Sequence, residues 1–424
     1  MRLLIKNGRV IDPLNNLDEV CDILIEDSNI ARVAKDIKVG AEQAIDANGK
    51  IVLPGLVDMH VHLREPGRED KETVETGTMS ALAGGVTSLL AIPNTQPPID
   101  SVENARLLTD IIRKTAKANV FIAGTITRGR LGEELADISG LKKEGILAIT
   151  DDGASVDPDE LMLAALEAAK KEDIPVICHS EDKKLSGGGQ VNRGFIATRM
   201  GLRGISCESE YKRIERDIAL ARESGARIHI AHVSCKESVE LIAQAKKKGI
   251  RVTCEAAPHH FTFSEEDLKD YDTNFKMNPP LRSKEDVAAI RQGLKDGIID
   301  AIASDHAPHT ENEKEIEFER AEFGVIGLET ALAVAATELV NTGILSWSDL
   351  AKKMSSVPAQ ILGLKKGSLG AGSVADITIF APGKEWVVRK EGIISRSKNS
   401  AFLGKTLKGM VEYTILAGKV AYKI

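Results

Sequence analysis

The chain has 424 residues, and its 56 Lys and Arg against 63 Asp and Glu give a formal net charge of −7. This acidic balance argues against nucleic acid or an anionic membrane as a partner, because both select a basic surface. A hydrophobic content of 42% and a charged content of 28% are ordinary for a folded protein and exclude wholesale disorder.

Both ends of the chain are predicted to be β-structure. Asn7 and Gly8 separate the apolar runs Leu3–Ile5 and Arg9–Asp12, and this pair predicts a hairpin turn because both residues tolerate positive φ. Similar short runs occur at Ile23–Glu26, Ile30–Val33, Asp376–Phe380, Val411–Ala417 and Val420–Tyr422. Two small hairpin sets bury too little surface alone, so we predict one small β-sandwich domain built from residues 1–50 and 366–424.

Between the ends, apolar runs alternate with amphipathic helical segments. Eight runs have the character of strands: Ile51–His60, Val86–Pro93, Val120–Thr127, Ile146–Asp152, Ile174–His179, Arg227–Val233, Arg251–Glu255 and Asp300–Asp305. Eight such βα units suggest an α/β TIM (β/α)8 barrel over residues 51–365, although periodicity alone leaves a doubly wound sheet open.

Metal-competent side chains fall at the carboxyl ends of five of these strands. His60 and His62 close the first strand, where an i, i+2 pair points to one face. The other four ends carry Asp151 and Asp152, His179, His232, and Asp305. Since a barrel's catalytic face lies at the carboxyl ends of its strands, this placement favours the barrel. Imidazole and carboxylate ligands suit Zn²⁺ or a similar divalent ion.

Strand alternation distinguishes neighbouring candidates. Asp152 shares a face with small residues and is predicted to point inward, whereas Asp151 shares the apolar outer face and is expected to be a helix-cap or loop residue. The same alternation along the strand Asp300–Asp305 favours Asp305 over His306 as the residue that points inward. His229 lies deeper in its strand and is expected to be a core residue.

Two other features are expected to lie outside the ligand set. His259 and His260 follow Pro258 in a predicted loop, where we expect a surface or second-layer role. The charged run from Glu311 to Glu322 is expected to form a solvated loop or helix.

Cysteine usage and hydropathy predict a cytoplasmic protein. The five cysteines are odd in number and scattered without a CxxC pair, so we expect neither a disulfide framework nor a cysteine-only zinc site. No apolar run reaches the roughly 18 residues of a membrane span. The N-terminus turns polar too early for a signal peptide, so we expect no membrane association.

Two long motifs carry a resemblance to the dihydroorotases of the amidohydrolase superfamily. Residues 58–66 (DMHVHLREP) resemble the first signature of that family, and residues 303–309 (ASDHAPH), with Lys314 five residues on, resemble the second. Asn94 and its neighbours (PNT) and Asn278 with the two prolines after it (NPP) match further positions of the family. The similarity spans nearly the whole chain.

The resemblance implies a TIM barrel of the metal-dependent hydrolase type with two Zn²⁺ ions per chain. By matching position, it implies His60, His62 and Asp305 as ligands of the more buried ion, and His179 and His232 as ligands of the second. Related families bridge the two ions with a carboxylated lysine at the end of the fourth strand. This sequence has no lysine there and resembles the bacterial-type class I dihydroorotases, in which an aspartate takes that place, so we assign Asp152.

The resemblance also implies a substrate site. Its positions match Arg64, Asn94 and His309 as the groups that hold the substrate's α-carboxylate, and a planar guanidinium can grip a carboxylate through two hydrogen bonds. The remaining substrate-binding positions are His62, Asn278, and the backbone of Phe323 and Gly324.

The implied activity is the reversible cyclisation of N-carbamoyl-L-aspartate to L-dihydroorotate and water, a step of de novo pyrimidine biosynthesis. A metal-held hydroxide would be the nucleophile in the hydrolytic direction, and Asp305 would be the general acid and base. The partners implied besides the substrate are a second copy of the chain and aspartate transcarbamoylase.

Three alternatives compete with this interpretation. Another cyclic amidohydrolase, of the hydantoinase or allantoinase type, is disfavoured by Arg64 and by the missing lysine. A catalytically silent structural partner of aspartate transcarbamoylase would be expected to have lost metal ligands, and all six are present here. The third alternative is a metal-binding scaffold without activity.

Overall fold

The computed structural model describes residues 2–424. Its strands are, in chain order, β1 (Arg2–Asp12), β2 (Leu17–Glu26), β3 (Asn29–Ala34), β4 (Gln43–Asp46), β5 (Ile51–Pro54), β6 (Leu56–Val61), β7 (Val86–Ala91), β8 (Asn119–Gly124), β9 (Ala148–Ile149), β10 (Val176–Cys178), β11 (Val191–Asn192), β12 (Gly204–Ile205), β13 (Ile228–Ile230), β14 (Val252–Ala256), β15 (Ala301–Ile302), β16 (Ile377–Val387), β17 (Thr406–Leu416) and β18 (Lys419–Lys423).

The α-helices are α1 (Val74–Ala83), α2 (Val102–Thr115), α3 (Ile138–Lys143), α4 (Asp159–Lys171), α5 (Lys183–Ser186), α6 (Phe195–Met200), α7 (Glu208–Ser224), α8 (Lys236–Lys247), α9 (Pro258–Thr262), α10 (Lys284–Lys295), α11 (Glu311–Lys314), α12 (Ala331–Ala335), α13 (Trp347–Ala351) and α14 (Val357–Ile361). Two π-helical turns, Ala336–Val340 and Lys352–Ser356, continue α12 and α13. Short 3₁₀ helices lie at Pro13–Asn15, Arg128–Arg130, Glu265–Asp267, Thr273–Phe275 and Lys390–Gly392.

Eight parallel strands form a nearly closed barrel. Their order is β15-β14-β13-β10-β9-β8-β7-β6, and a parallel bridge between Val61 and His306 joins the first strand to the end of the last. The residues that fill the interior are mostly small or slender, and Ala123, Ala148 and Ala301 are fully buried there. The prediction of eight strands and of a TIM barrel is confirmed.

The helices around the barrel form where capping and amphipathic patterns coincide. In α2, the Ser101 side chain accepts a hydrogen bond from the backbone of Asn104 and caps the first turn. Ala105 and Leu108 face the barrel at helical spacing, and basic residues occupy the last turn, where they complement the helix dipole. The helix therefore has one buried face and one charged face.

The run Ile51–His60, predicted as one strand, is divided at Gly55. Residues Ile51–Pro54 form β5 in the terminal sheet, and Leu56–Val61 form β6 in the barrel. A Cβ atom at Gly55 would lie 2.2 Å from Thr87 Oγ1, so only glycine lets the backbone pass between the two sheets. The proposed division into residues 1–50 with 366–424 and 51–365 stays a prediction.

The second large sheet is mixed and contains both ends of the described chain. Its order is β18-β17-β16-β5-β1-β2-β3, with β4 paired to β1. The strands of the N-terminal part meet those of the C-terminal part where β5 pairs antiparallel with β16. Its core is a cluster of aliphatic side chains from both ends, including Ile5, Ile23 and Ile377.

The predicted hairpin at Asn7 and Gly8 is wrong, because β1 is one continuous strand with a bulge there. The register with β2 shifts between Ile5 and Gly8. Asn7 has φ of 61°, and its backbone N–H donates to Asp22 Oδ1 over 2.9 Å. The bulge lets β1 pair first with β4 and then with β5 on its other side. The second predicted hairpin, between β2 and β3, is confirmed.

All five cysteines are free thiols, in agreement with the expectation of no disulfide framework. Among residues 2–424, no helix combines the length and apolar character needed to cross a membrane.

Candidate metal and substrate site

The predicted site residues meet in one cavity of about 590 Å³ at the carboxyl ends of the barrel strands. Its lining includes nearly all of the predicted residues: His62, Arg64, Asn94, Asp152, His179, His232, Asn278, Asp305, His309, Phe323 and Gly324. His60 is completely buried beneath this cavity, and its ring lies against those of His62 and His232. The sequence placed these side chains on separate strands, and the barrel brings them together.

One carboxylate faces four imidazoles. Asp152 Oδ1 lies 3.4 Å from His60 Nε2, 3.4 Å from His179 Nδ1 and 3.5 Å from His232 Nε2. Its other oxygen, Oδ2, lies 3.6 Å from His62 Nε2. As the alternation argument predicts, Asp152 points into the mouth of the barrel.

Asp305 completes a second group of ligand atoms. Its Oδ1 lies 3.6 Å from both His60 Nε2 and His62 Nε2. The sets His60, His62, Asp305 and His60, Asp152, His232 could each hold a metal ion. Bonds of about 2.0–2.1 Å to a tetrahedral ion place its ligand atoms about 3.3 Å apart, which is close to the separations in this site.

Buried polar atoms without hydrogen-bond partners support this fit. His60 Nε2 and Asp152 Oδ1 are fully enclosed and make no hydrogen bond within the described chain, although they face each other. His179 Nδ1 and His232 Nε2 lie only 3.0 Å apart. Buried polar groups are rarely left unpaired, and a shared cation would satisfy these converging lone pairs.

The electrostatics favour ionised carboxylates. Burial alone would raise the pKa of Asp152, but the imidazoles of His60, His179 and His232 outweigh it and hold that pKa well below its usual value. Burial likewise opposes ionisation of Asp305, and the same kind of contact, mainly with His62 and His60, lowers its pKa. Both side chains therefore present negative oxygen atoms to a cation at neutral pH.

A buried acid beneath the ligands orients His60. Glu255 Oε1 accepts a hydrogen bond from His60 Nδ1 over 2.9 Å, which leaves Nε2 free to face the site. Glu255 Oε2 lies 3.2 Å from His229 Nε2, and His229 Nδ1 contacts Thr253 Oγ1 at 2.9 Å. Burial opposes ionisation of Glu255, yet both histidines lower its pKa to about 2. His229 is thus a core residue, as expected.

Glu255 is a buried residue beside the candidate ligands that the sequence does not single out. It ends the predicted seventh strand, Arg251–Glu255, so its position at the catalytic face was a usable signal. A second acid of this kind is Glu181, whose Oε2 lies 3.4 Å from His179 Nε2 and accepts from Asn278 Nδ2 over 3.0 Å. Both carboxylates orient side chains of the site.

The predicted carboxylate-binding groups form one wall of the cavity. Arg64 Nε donates to the carbonyl of Pro308 over 3.1 Å, and Arg64 Nη2 lies 3.2 Å from His309 Nε2. Asn94 Oδ1 accepts from His62 Nδ1 over 2.9 Å, which leaves the Asn94 amide hydrogens for another acceptor. At Gly324, with φ of 131°, a Cβ atom would lie 2.7 Å from that of Ala307. This wall is therefore closely packed.

Two buried lysines fasten the loop that carries Phe323 and Gly324. Lys276 Nζ donates to the carbonyls of Phe318 and Ala321 over 2.7 Å and 2.6 Å. Lys314 Nζ donates to the carbonyl of Gly324 over 3.0 Å. The charged run from Glu311 to Glu322 is mostly exposed as expected, but Lys314 within it is buried.

Several other candidates lie outside the ligand set. Asp151 accepts hydrogen bonds from the backbone N–H groups of Ile126 and Thr127 and lies outside the helices and strands, so it is a loop residue as expected. His259 and His260 are buried in α9 rather than exposed. His259 Nε2 lies 3.9 Å from Asp305 Oδ2, which fits a second-layer position.

Comparisons with known proteins identify the family of the chain. A sequence model of the family described as "Dihydro-orotase-like" matches residues 49–238. The chain is 53% identical over 420 residues to a dihydroorotase of Elusimicrobium minutum, covering 99% of this chain and 97% of that one. The chain belongs to the dihydroorotase family. A dihydroorotase of Geotalea daltonii is 49% identical over 424 residues and the whole of both chains.

Among solved structures, the chain is similar to the L-hydantoinase (dihydropyrimidinase) from Arthrobacter aurescens. The TM-score is 0.89 at 27% identity, and the match covers 99% of this chain and 95% of that one. This chain and that hydantoinase therefore share their fold over nearly the whole of both chains.

Proposed function

We propose that the chain is a dihydroorotase that interconverts L-dihydroorotate with N-carbamoyl-L-aspartate, a step of de novo pyrimidine biosynthesis. The observation that carries the proposal is one cavity in which a histidine–aspartate metal site lies beside Arg64, Asn94 and His309. A cyclic amide that bears a carboxylate needs both groups of residues. The full-length similarity to proteins named dihydroorotase supports the same activity.

For the metal we propose two Zn²⁺ ions. His60, His62 and Asp305 would hold one, His179 and His232 the other, and Asp152 would contact both. Nitrogen and carboxylate ligands on a rigid barrel suit Zn²⁺. When bound, such ions lower the pKa of a water molecule towards about 7 and polarise a carbonyl group.

The substrate's carboxylate would bind to the wall formed by Arg64, Asn94 and His309. Arg64 is half-buried in the cavity wall, and a guanidinium shielded from water in this way forms strong paired hydrogen bonds with a carboxylate. Asn278 and the backbone of Phe323 and Gly324 would contact the ring. These contacts fix which carbonyl of the ring faces the metal ligands.

Asp305 would transfer a proton between the attacking water molecule and the ring nitrogen. Its Oδ1 faces His60 and His62. Its Oδ2 has no hydrogen-bond partner within the described residues, and His259 Nε2 lies 3.9 Å from it. Because its pKa is low, Asp305 is a carboxylate at neutral pH and can accept a proton. It would return that proton to the departing ring nitrogen, and in the closing direction it would take the proton from the carbamoyl nitrogen.

The decisive test compares two substrates. Zinc-reconstituted protein should open L-dihydroorotate and leave hydantoin, which lacks the ring carboxylate, and the zinc count per chain should be two. Arg64→Met should raise KM for dihydroorotate, because it removes the guanidinium, whereas the exposed Arg106→Met should not. Turnover of hydantoin alone would assign the chain to the activity of its solved structural relatives. A count of one zinc would refute the two-ion proposal.

We further propose that the chain forms a homodimer and associates with aspartate transcarbamoylase. Size-exclusion chromatography of the chain, alone and mixed with that enzyme, would detect both complexes. The free thiols support a reducing compartment, which we propose is the cytoplasm.

A further inference from the structure

Lys71 is a buried lysine behind the carboxylate-binding wall. It lies in the loop between β6 and α1 with only 5% of its surface exposed. Its ammonium lies 3.1 Å from His309 Nδ1 and 2.9 Å from Glu313 Oε1. Its carbonyl accepts from Ser397 Oγ over 2.6 Å, so the backbone is also held. The ammonium thus contacts the Nδ1 side of the His309 ring, and the opposite side of the ring faces the cavity.

These contacts determine which nitrogen of His309 carries the proton. Burial, together with Arg64 and Lys71, lowers the pKa of His309 to about 3 against the opposing effect of Glu313, so the ring is neutral. An ammonium can only donate, and His309 Nδ1 must therefore be the acceptor. A neutral imidazole with an accepting Nδ1 carries its proton on Nε2.

A contact on the other side of the ring agrees. His309 Nε2 lies 2.8 Å from the carbonyl oxygen of Phe323, which can only accept. This contact independently requires a proton on Nε2. Since Nε2 is a donor, it cannot accept a hydrogen from Arg64 Nη2, although the two atoms are 3.2 Å apart. The Arg64 hydrogens on this side therefore remain available to another acceptor.

We propose that Lys71 is a positioning residue for substrate recognition, because it fixes His309 in the Nε2–H tautomer, in which the ring donates to the Phe323 carbonyl and leaves hydrogens of Arg64 free for the substrate's carboxylate. The identity of that ligand rests on the proposed function, whereas the tautomer is a property of the free protein. In the other tautomer, Nε2 would present a lone pair to the Phe323 carbonyl and would consume a hydrogen of Arg64.

Glu313 makes Lys71 necessary for this arrangement. Glu313 Oε2 lies 3.7 Å from His309 Nδ1, and Arg68 Nη2 lies 2.6 Å from Glu313 Oε1. Without the ammonium, this carboxylate would face Nδ1 directly and would draw a proton onto it. Lys71 therefore acts in two ways, since it donates to Nδ1 and shields Nδ1 from Glu313.

Nitrogen-15 NMR of histidine-labelled, zinc-loaded protein tests the tautomer without any substrate. His309→Gln identifies the His309 signals. The wild-type protein should show an unprotonated Nδ1 and a protonated Nε2, and Lys71→Met should show a protonated Nδ1. A wild-type ring protonated on Nδ1, or the same tautomer in both proteins, would overturn the proposal.

Kinetics test the consequence for substrate. Measured above neutral pH, Lys71→Met should raise KM for dihydroorotate by about 10- to 100-fold, the effect of one charge-assisted hydrogen bond, with kcat changed much less. Lys71→Arg keeps a cationic donor and should recover part of the loss, and the exposed Lys117→Met is the control. A fall in kcat with unchanged KM would overturn the proposal. Should the wild-type protein fail to open dihydroorotate, the proposed function fails, and the NMR result still decides the tautomer.

Discussion

Replacing Glu255 with glutamine should weaken metal binding although Glu255 is not a ligand. The carboxylate accepts from His60 Nδ1 and also contacts His229, so it fixes the His60 ring and makes its Nε2 more basic. Glutamine has nearly the same shape. Its amide oxygen can still accept from His60, and its amide nitrogen can donate to His229. The substitution therefore removes the charge and keeps the packing.

The size of the effect follows from that difference. A charge-assisted hydrogen bond contributes about 1.5–3 kcal/mol and a neutral one about 0.5–1.5 kcal/mol. The loss on going from carboxylate to amide is then about 1–1.5 kcal/mol, which at about 1.4 kcal/mol per factor of ten weakens metal binding roughly tenfold. Glu255→Ala removes the whole contact and should weaken binding by up to about a hundredfold.

Competition against a chromogenic chelator measures zinc affinity directly. Glu329→Gln is the control, because this half-buried carboxylate accepts from the backbone N–H groups of Ile394 and Ser395, neither of which is a proposed ligand. The control should lower the free energy of unfolding and leave zinc affinity unchanged. Wild-type zinc affinity in Glu255→Gln would refute the argument that this carboxylate tunes His60.

Three further outcomes are expected. Asp151→Ala removes a buried acceptor of several N–H and O–H groups around Thr127. Chemical denaturation should show a free energy of unfolding lower by about 3 kcal/mol, with zinc content unchanged. An unaltered free energy of unfolding would contradict this expectation. Asp305→Asn should reduce kcat by about 10²- to 10⁴-fold, and full turnover would exclude the proposed proton transfer. Iodoacetamide should label half-buried Cys207 first in peptide mass mapping. Contact with Cys235 lowers the pKa of the Cys207 thiol, whereas burial raises the pKa of the Cys254 thiol to about 12. Earlier labelling of Cys254 would contradict this expectation.

The sequence predicts that the candidate site residues converge because barrel geometry is repetitive. His60, His179, His232 and Asp305 each follow an apolar run, and parallel strands place all such ends on one face. Strand periodicity also separates Asp152 from Asp151, since neighbouring side chains point in opposite directions. These inferences need only local patterns.

Features that depend on distant parts of the chain are harder to predict. Asn7 and Gly8 have the composition of a turn, but β4 and β5 pair with the same strand and convert that turn into a bulge. Position 55 requires glycine because a Cβ atom there would clash with Thr87, which nothing near Gly55 in sequence reveals. The role of Lys71 likewise depends on His309, over two hundred residues away.

The order of strands in the terminal sheet has a consequence for biosynthesis. A ribosome releases β1 to β5 first, yet β16, the partner along the free edge of β5, follows more than three hundred residues later. Until then, the apolar edge of β5 stands open to other nascent chains, a known hazard for unpaired strands. All the barrel strands are therefore synthesised while this edge is unpaired, and termination of the chain before β16 would leave the edge of β5 open.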